Sequence, residues 1–188
     1  RLTSIQTPYI SSDNIISLLS IQVASFNASA VSELTTLGIF VLTLDQMQAF
    51  TNEQISRLKT GQYQALTTSA ISGLISIQIE HITSSNIMTL STAQFQSFTT
   101  SAISGLISKQ VQNISIRNLK EEQIKTITTS AISGLTQDQA SNISFSVLNP
   151  DQITILVNND VSDALKRDLI LTKLGVEQLD KITPSFIL

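Results

Sequence analysis

The chain has 188 residues, 41% apolar and 13% charged, with a net charge of −3 and no cysteine. That is enough apolar mass for one ordinary domain or one repeat array, at about half the usual charged share, and 27 Ser, 21 Thr, 17 Gln and 10 Asn supply the polarity instead. The longest basic run is Lys166-Arg167, which argues against a nucleic-acid partner, and the missing Cys removes disulfides, thiolate nucleophiles and sulfur-based zinc sites. No apolar run approaches the ~18–20 residues of a membrane helix, so membrane insertion is not expected. The chain opens at Arg1, without Met or a signal-peptide pattern, and reads as a piece of something longer or a processed product.

From Leu2 to Ile114 an aliphatic residue or Phe recurs at every eighth position, through Leu18, Leu34, Phe50, Leu66, Ile82 and Phe98. The fifth position of each octad is Gln, Asn or a small residue, and the sixth is apolar in all but the first, from Ile15 to Val111. The second is often Thr or Ser. Fourteen unbroken copies make internal repetition the most secure property of the chain. A continuous helix fails this pattern, because eight residues turn the apolar stripe by about 80° per repeat. A regular strand also fails, since positions one and six have opposite parity. A short helix restarted in every octad fits.

In that reading the Ser or Thr at position two is an N-cap and position five is N3, where Gln reaches back to the cap N–H. Thr43 with Gln46, Thr51 with Gln54 and Ser91 with Gln94 have this capping-box spacing. Asn149-Pro150 and Thr183-Pro184 place Pro at the first helical position, where it is tolerated. The string "TTSAISGL" stands unchanged at 67–74, 99–106 and 128–135. Its Gly73, Gly105 and Gly134 fall at position eight, where a short helix is expected to end in a left-handed turn, and they are taken as repeat joints. Helices this short cannot stand alone in water and must be held by stacking, as in a solenoid.

A longer rhythm overlies the octads. Small residues at position five recur every fourth octad, at Gly38, Ala70 and Ala102, and then at Ala131, which suggests units of about 32 residues, either one coil each or blocks of a duplication history with the same spacing. Three residues are lost between Ile114 and Leu119 and again between Ile143 and Leu148, close to one helical turn, so the next cap keeps its register. The expected organisation is an octad solenoid over 1–148, followed by degenerate repeats and a helical C-terminal cap over 149–188. Residues 150–188 hold 10 of the 25 charges, as a polar terminal cap requires.

The stretches "LTLDQMQAFTNEQISRLKTGQYQALTTSAISGL" and "LSTAQFQSFTTSAISGL" resemble the L-T-x-x-Q-h-x-A-L octapeptide arrays of very large bacterial secreted or surface proteins, often adhesin-like. The resemblance covers roughly residues 2–156, and the three-residue losses and the last ~30 residues depart from it. It implies an extracellular or cell-surface location, further repeats flanking the chain, and work as a stalk or spacer.

Chemistry has few candidates. His81, the single histidine, sits beside Glu80 with no second ligand or carboxylate cluster nearby, and reads as a solvent-facing repeat position. Glu121-Glu122 complements a helix start, and "NNDVSD" at 158–163 lacks the spacing of an EF-hand loop. No Ser lies in G-x-S-x-G, no phosphate-cradling glycine loop occurs, and three N-x-[S/T] sequons match chance. A ladder of amides at position five could grip an extended peptide or a glycan, although the capping box or bonds between coils explain the same residues.

The expected fold is therefore an all-α solenoid of short capped helices, with a β-solenoid as the competitor favoured by the Ile, Thr and Val content. The expected function is a structural or adhesive segment of an exported protein, not an enzyme, with no cofactor, metal or catalytic residue. The competing functions are a module binding a peptide, protein or glycan, and a non-catalytic fragment of a toxin or effector.

Overall fold

The computed structural model describes residues 3–158. The predicted C-terminal helical cap, Thr183-Pro184 and all but the first residue of "NNDVSD" lie outside the described residues. Every described element is helical, and none of the described residues forms a strand. The β-solenoid alternative is thereby overturned. The spacing of positions one and six wins over the Ile, Thr and Val content: a helix brings both to one buried face, whereas a regular strand splits them between two.

After a 3₁₀ turn at Thr7–Tyr9 come α1 (Ser12–Ile16), α2 (Ser20–Ala24), α3 (Ala28–Ser32), α4 (Thr36–Phe40), α5 (Leu44–Gln48) and α6 (Asn52–Arg57). Then follow α7 (Thr60–Ala65), α8 (Thr68–Ser72), α9 (Ser76–Ile79), α10 (Ser84–Ile87), α11 (Thr92–Ser97), α12 (Thr100–Ile103) and α13 (Ser108–Val111). A 3₁₀ turn at Ile116–Asn118 precedes α14 (Glu121–Ile124), α15 (Thr129–Ile132) and α16 (Gln137–Ser141), and another at Phe145–Val147 precedes α17 (Pro150–Asn158). From α1 to α13 each octad makes one helix of four to six residues. Hydroxyl or Asn caps at Ser11, Asn27, Thr35, Thr67, Thr83 and Thr99 accept the N3 amide and start the turn. Pro150 opens α17, with Asn149 Oδ1 accepting from Gln152 N–H at 2.9 Å.

The apolar positions form one continuous core. Position six is fully buried from Ile15 to Val111, and position one is buried from Phe26 to Ile114. Thr7, the exception at position six, is buried too, and its hydroxyl donates to Thr3 O at 2.7 Å. In the twelfth and thirteenth octads Phe95 and Phe98 meet edge to face at 6.1 Å.

Helices pack regularly, each against the third element on. α1 meets α4, α2 meets α5, α3 meets α6, and the pattern continues to α10 with α13. The 3₁₀ turns keep the count: α11 meets Ile116–Asn118, α13 meets α15, and α14 meets Phe145–Val147. The 32-residue rhythm belongs to the sequence, whereas the packing neighbour is three elements away. The two three-residue losses fall at Ile116–Asn118 and Phe145–Val147, where the octad is reduced to a 3₁₀ turn and the next helix keeps its Gln bond to the cap N–H, from Lys120 to Gln123 and from Asn149 to Gln152.

Candidate functional site

The most repeated chemistry in the chain is the amide at octad position five, and its geometry is nearly invariant. In Gln62, Oε1 accepts from Lys59 N–H at 2.8 Å, while Nε2 donates to Val31 O at 3.0 Å and Leu34 O at 2.8 Å. Gln46 joins Thr43 N–H to Ile15 O and Leu18 O. Gln54 joins Thr51 N–H to Val23 O and Phe26 O, and Gln94 joins Ser91 N–H to Tyr63 O and Leu66 O. Gln78 and Gln110 repeat the arrangement. The acceptors lie 31 and 28 residues back, at position six of one earlier octad and position one of the next. Each side chain thus completes its own helix start and binds an earlier stretch of backbone.

The cap hydroxyls add a second, less constant bond. Thr43, Thr51 and Ser91 each accept from the N3 amide of their Gln at 3.2 Å. At Leu19, Lys59, Ile75, Ile107 and Lys120 the cap side chain has no oxygen to offer, yet the Gln still accepts the cap N–H at 2.8–3.0 Å. Asn86 is one methylene shorter: its Nδ2 reaches Leu58 O, and its Oδ1 accepts from Thr60 instead of its own cap. The position-five Gln side chains Gln46, Gln54, Gln62, Gln78, Gln94, Gln110 and Gln123 are buried. With both amide hydrogens already donated to carbonyls, they have no donor left for a peptide or a glycan. The ligand-gripping reading of the interior ladder therefore fails on geometry.

The long reach of Nε2 is the functional contact that capping logic alone misses. A signal for it was present, because a capping box accepts Glu as readily as Gln, yet no octad carries Glu at position five. Only an amide both accepts and donates.

The glycine joints work differently from the expectation. Gly73 has φ −79° and ψ −15°, and no described glycine has positive φ, so no left-handed turn ends these helices. What requires glycine is proximity. A Cβ on Gly73 would stand 2.3 Å from Leu44 O, on Gly105 2.0 Å from Ser76 O, and on Gly134 2.3 Å from Ser108 O. Each Gly seats the end of its helix on the first residue of the helix three elements earlier: α8 on α5, α12 on α9, α15 on α13. The three "TTSAISGL" copies thus do not stack on one another. The residue under Gly105 and under Gly134 belongs to the octad that follows the preceding copy.

Elsewhere the chemistry is sparse. His81 Nε2 lies 3.5 Å from Glu80 Oε1, both half-exposed, at a surface groove of about 550 Å³ that also includes Ser84, Ser85 and Lys109. Among the described residues no three His, Cys, Asp or Glu gather as metal ligands would, and no helix is long and apolar enough to cross a membrane. Glu121 and Glu122 occupy the first turn of α14. Burial pushes the Tyr63 hydroxyl well above the ordinary phenol range, and it donates to Ile55 O at 2.6 Å. No family model, curated protein or solved structure matches the chain.

Proposed function

We propose that the chain is a superhelical solenoid that acts as a non-enzymatic spacer or display segment of a larger exported bacterial protein, at the cell surface or outside it. The observation carrying this reading is that the most repeated polar group, the position-five amide, is spent on joining one layer of helices to the layer before it. Helix neighbours three elements away and amide partners 28 and 31 residues back are the contacts of a solenoid with three to four octads per turn. Such an array has only nearest-neighbour interfaces, so its length is set by the number of octads and its ends can be lengthened without a new core. The low charge and the absence of a ligand cluster among the described residues suit a stalk better than a catalyst.

The test is to duplicate residues 75–106, four whole octads, and measure the maximum dimension by small-angle scattering. Layers of packed helices stand 8–10 Å apart, so each inserted unit is expected to add about 10 Å along one axis, with helical circular dichroism rising in proportion. A maximum dimension that stays constant while the cross-section grows, or an inserted unit that remains unfolded, refutes the solenoid reading.

A further inference from the structure

Between Lys59 and Arg117 the chain has one carboxylate, one imidazole and one ammonium, at Glu80, His81 and Lys109. The fold brings all three to one place. Helix α10 packs on α13, which sets Lys109 against the turn before α10, and Ser84 Oγ donates to Lys109 O at 3.4 Å across the contact. The result is the groove of about 550 Å³, lined by these three side chains, by Ile82 and Ile107, and by the hydroxyls of Thr83, Ser84 and Ser85. The repeat does not dictate this composition. Glu80, His81 and Lys109 stand at octad positions seven, eight and four. Where α9 packs on α12 the same positions hold Ser72, Gly73 and Ser101, and where α8 packs on α11 they hold Gln64, Ala65 and Ala93.

The polar groups of the groove are only partly paired. Among the described residues no carboxylate lies within ion-pair distance of the Lys109 ammonium, and Glu80 meets only the His81 ring, at 3.5 Å. Thr83 and Ser85 share one hydrogen bond of 3.0 Å, which leaves one of their two hydroxyl hydrogens for a ligand. Glu80 repels a bare anion, Lys109 repels a cation, and an apolar ligand leaves both unpaired. We propose that this groove binds a hydroxylated carboxylic acid of sugar size. Its carboxylate sits on Lys109, its hydroxyls bond Glu80, His81 and Ser85, and its C–H face lies on the exposed Ile107. The volume falls within the ~300–1,000 Å³ of small-molecule sites. The array thereby carries a recognition site on its outer surface in addition to its length.

His81 is the single histidine, so its ring Cε1–H gives one NMR signal that reports on the groove alone. The full chain is titrated with D-glucuronate, D-glucose and acetate at constant pH and ionic strength. Glucuronate is expected to shift that signal saturably, with a dissociation constant on the order of 1 mM, as one exposed charged contact and a few hydrogen bonds allow. Glucose lacks the carboxylate and acetate lacks the hydroxyls, so each is expected to bind at least about tenfold more weakly. Lys109→Met and Glu80→Gln are each expected to weaken glucuronate binding at least about fivefold, with unchanged far-UV circular dichroism. A signal that does not saturate with glucuronate overturns the proposal, and so does acetate matching it, which leaves an anion site only. Glucose matching glucuronate, or glucuronate binding that both variants leave intact, overturns it as well. The three-ligand comparison uses the parent chain alone and stands whether or not either variant folds.

Discussion

Replacing Gly73 by Ala tests whether the joints depend on backbone conformation or on the approach of two layers. With φ −79° and ψ −15°, Gly73 is already in a helical conformation that alanine prefers. Locally, then, Gly73→Ala should stabilise by about 0.4–1 kcal/mol, through the reduced entropy of the unfolded chain. The opposing effect is steric. The new methyl would lie 2.3 Å from Leu44 O, 3.0 Å from its carbonyl carbon and 3.1 Å from its Cα. All three are backbone atoms in the first turn of α5, so no rotamer change relieves them. The layers must part until the methyl–oxygen distance passes 3.0 Å, which also stretches the hydrogen bonds beside it. Overpacking of this kind costs roughly 1–3 kcal/mol, so a net destabilisation of about 1–2 kcal/mol is expected.

Gly61→Ala is the matched control. Gly61 lies inside α7, and a Cβ there would touch only Thr36 Cγ2, at 4.0 Å. Its steric cost is close to nil, and the variant should gain roughly 0.5–1 kcal/mol. Urea unfolding followed by far-UV circular dichroism measures both, with the midpoint shifting down for Gly73→Ala and up for Gly61→Ala. Gly105→Ala, with its shorter 2.0 Å approach, should cost at least as much as Gly73→Ala. If all three variants shift the midpoint upward, the close approach does not exist and the argument from proximity is wrong.

Gln54→Ala should cost about 2–4 kcal/mol, since it leaves the Thr51 N–H and the carbonyls of Val23 and Phe26 without their partners. Thr51→Ala removes one cap bond and should cost about 1 kcal/mol; equal losses in urea titrations would contradict the double role of the amide. Tyr63→Phe should cost about 1 kcal/mol, for the lost bond to Ile55 O, with the buried ring retained. Because the folded state holds the Tyr63 hydroxyl protonated, its contribution is present below the ordinary phenol range and fades as pH rises above it. The alkaline loss of stability should therefore be smaller in Tyr63→Phe than in the parent. At the surface, the hydrogen bond from Lys59, then its charge, lowers the Glu33 pKa. That small contribution is present at neutral pH and lost as pH falls through the lowered pKa, so the melting difference between parent and Glu33→Gln should shrink in acid and in high salt.

The octad pattern is legible in the sequence because it follows local rules. Apolar residues at positions one and six must share a helix face, a hydroxyl at position two starts a helix, and Pro150 can only open one. The layer spacing is not legible in the same way. "TTSAISGL" recurs after 32 and then 29 residues, whereas the packing partner is the third element on, set by how the chain turns between capped helices. That turn depends on linker geometry, which residue type reports only weakly. Gly73 shows the difference: sequence rules offer glycine as a helix terminator, and only the proximity of Leu44 O reveals that it is a point of contact.

The three-residue losses show why the two periods coexist without conflict. Before them, the Gln side chains reach back 31 and 28 residues; after them, Gln123, Gln139 and Gln152 reach back 28 and 25 to the same two octad positions. The Gly joint shortens likewise, from 29 residues at Gly105 to 26 at Gly134, and still meets a first-turn carbonyl. An insertion or deletion is thus tolerated when it leaves each Gln facing a position-six and a position-one carbonyl. Copying any whole number of octads meets that condition, and so does trimming one octad to a 3₁₀ turn. Moving a cap by one residue does not meet it, because it swings the amide away from both acceptors at once.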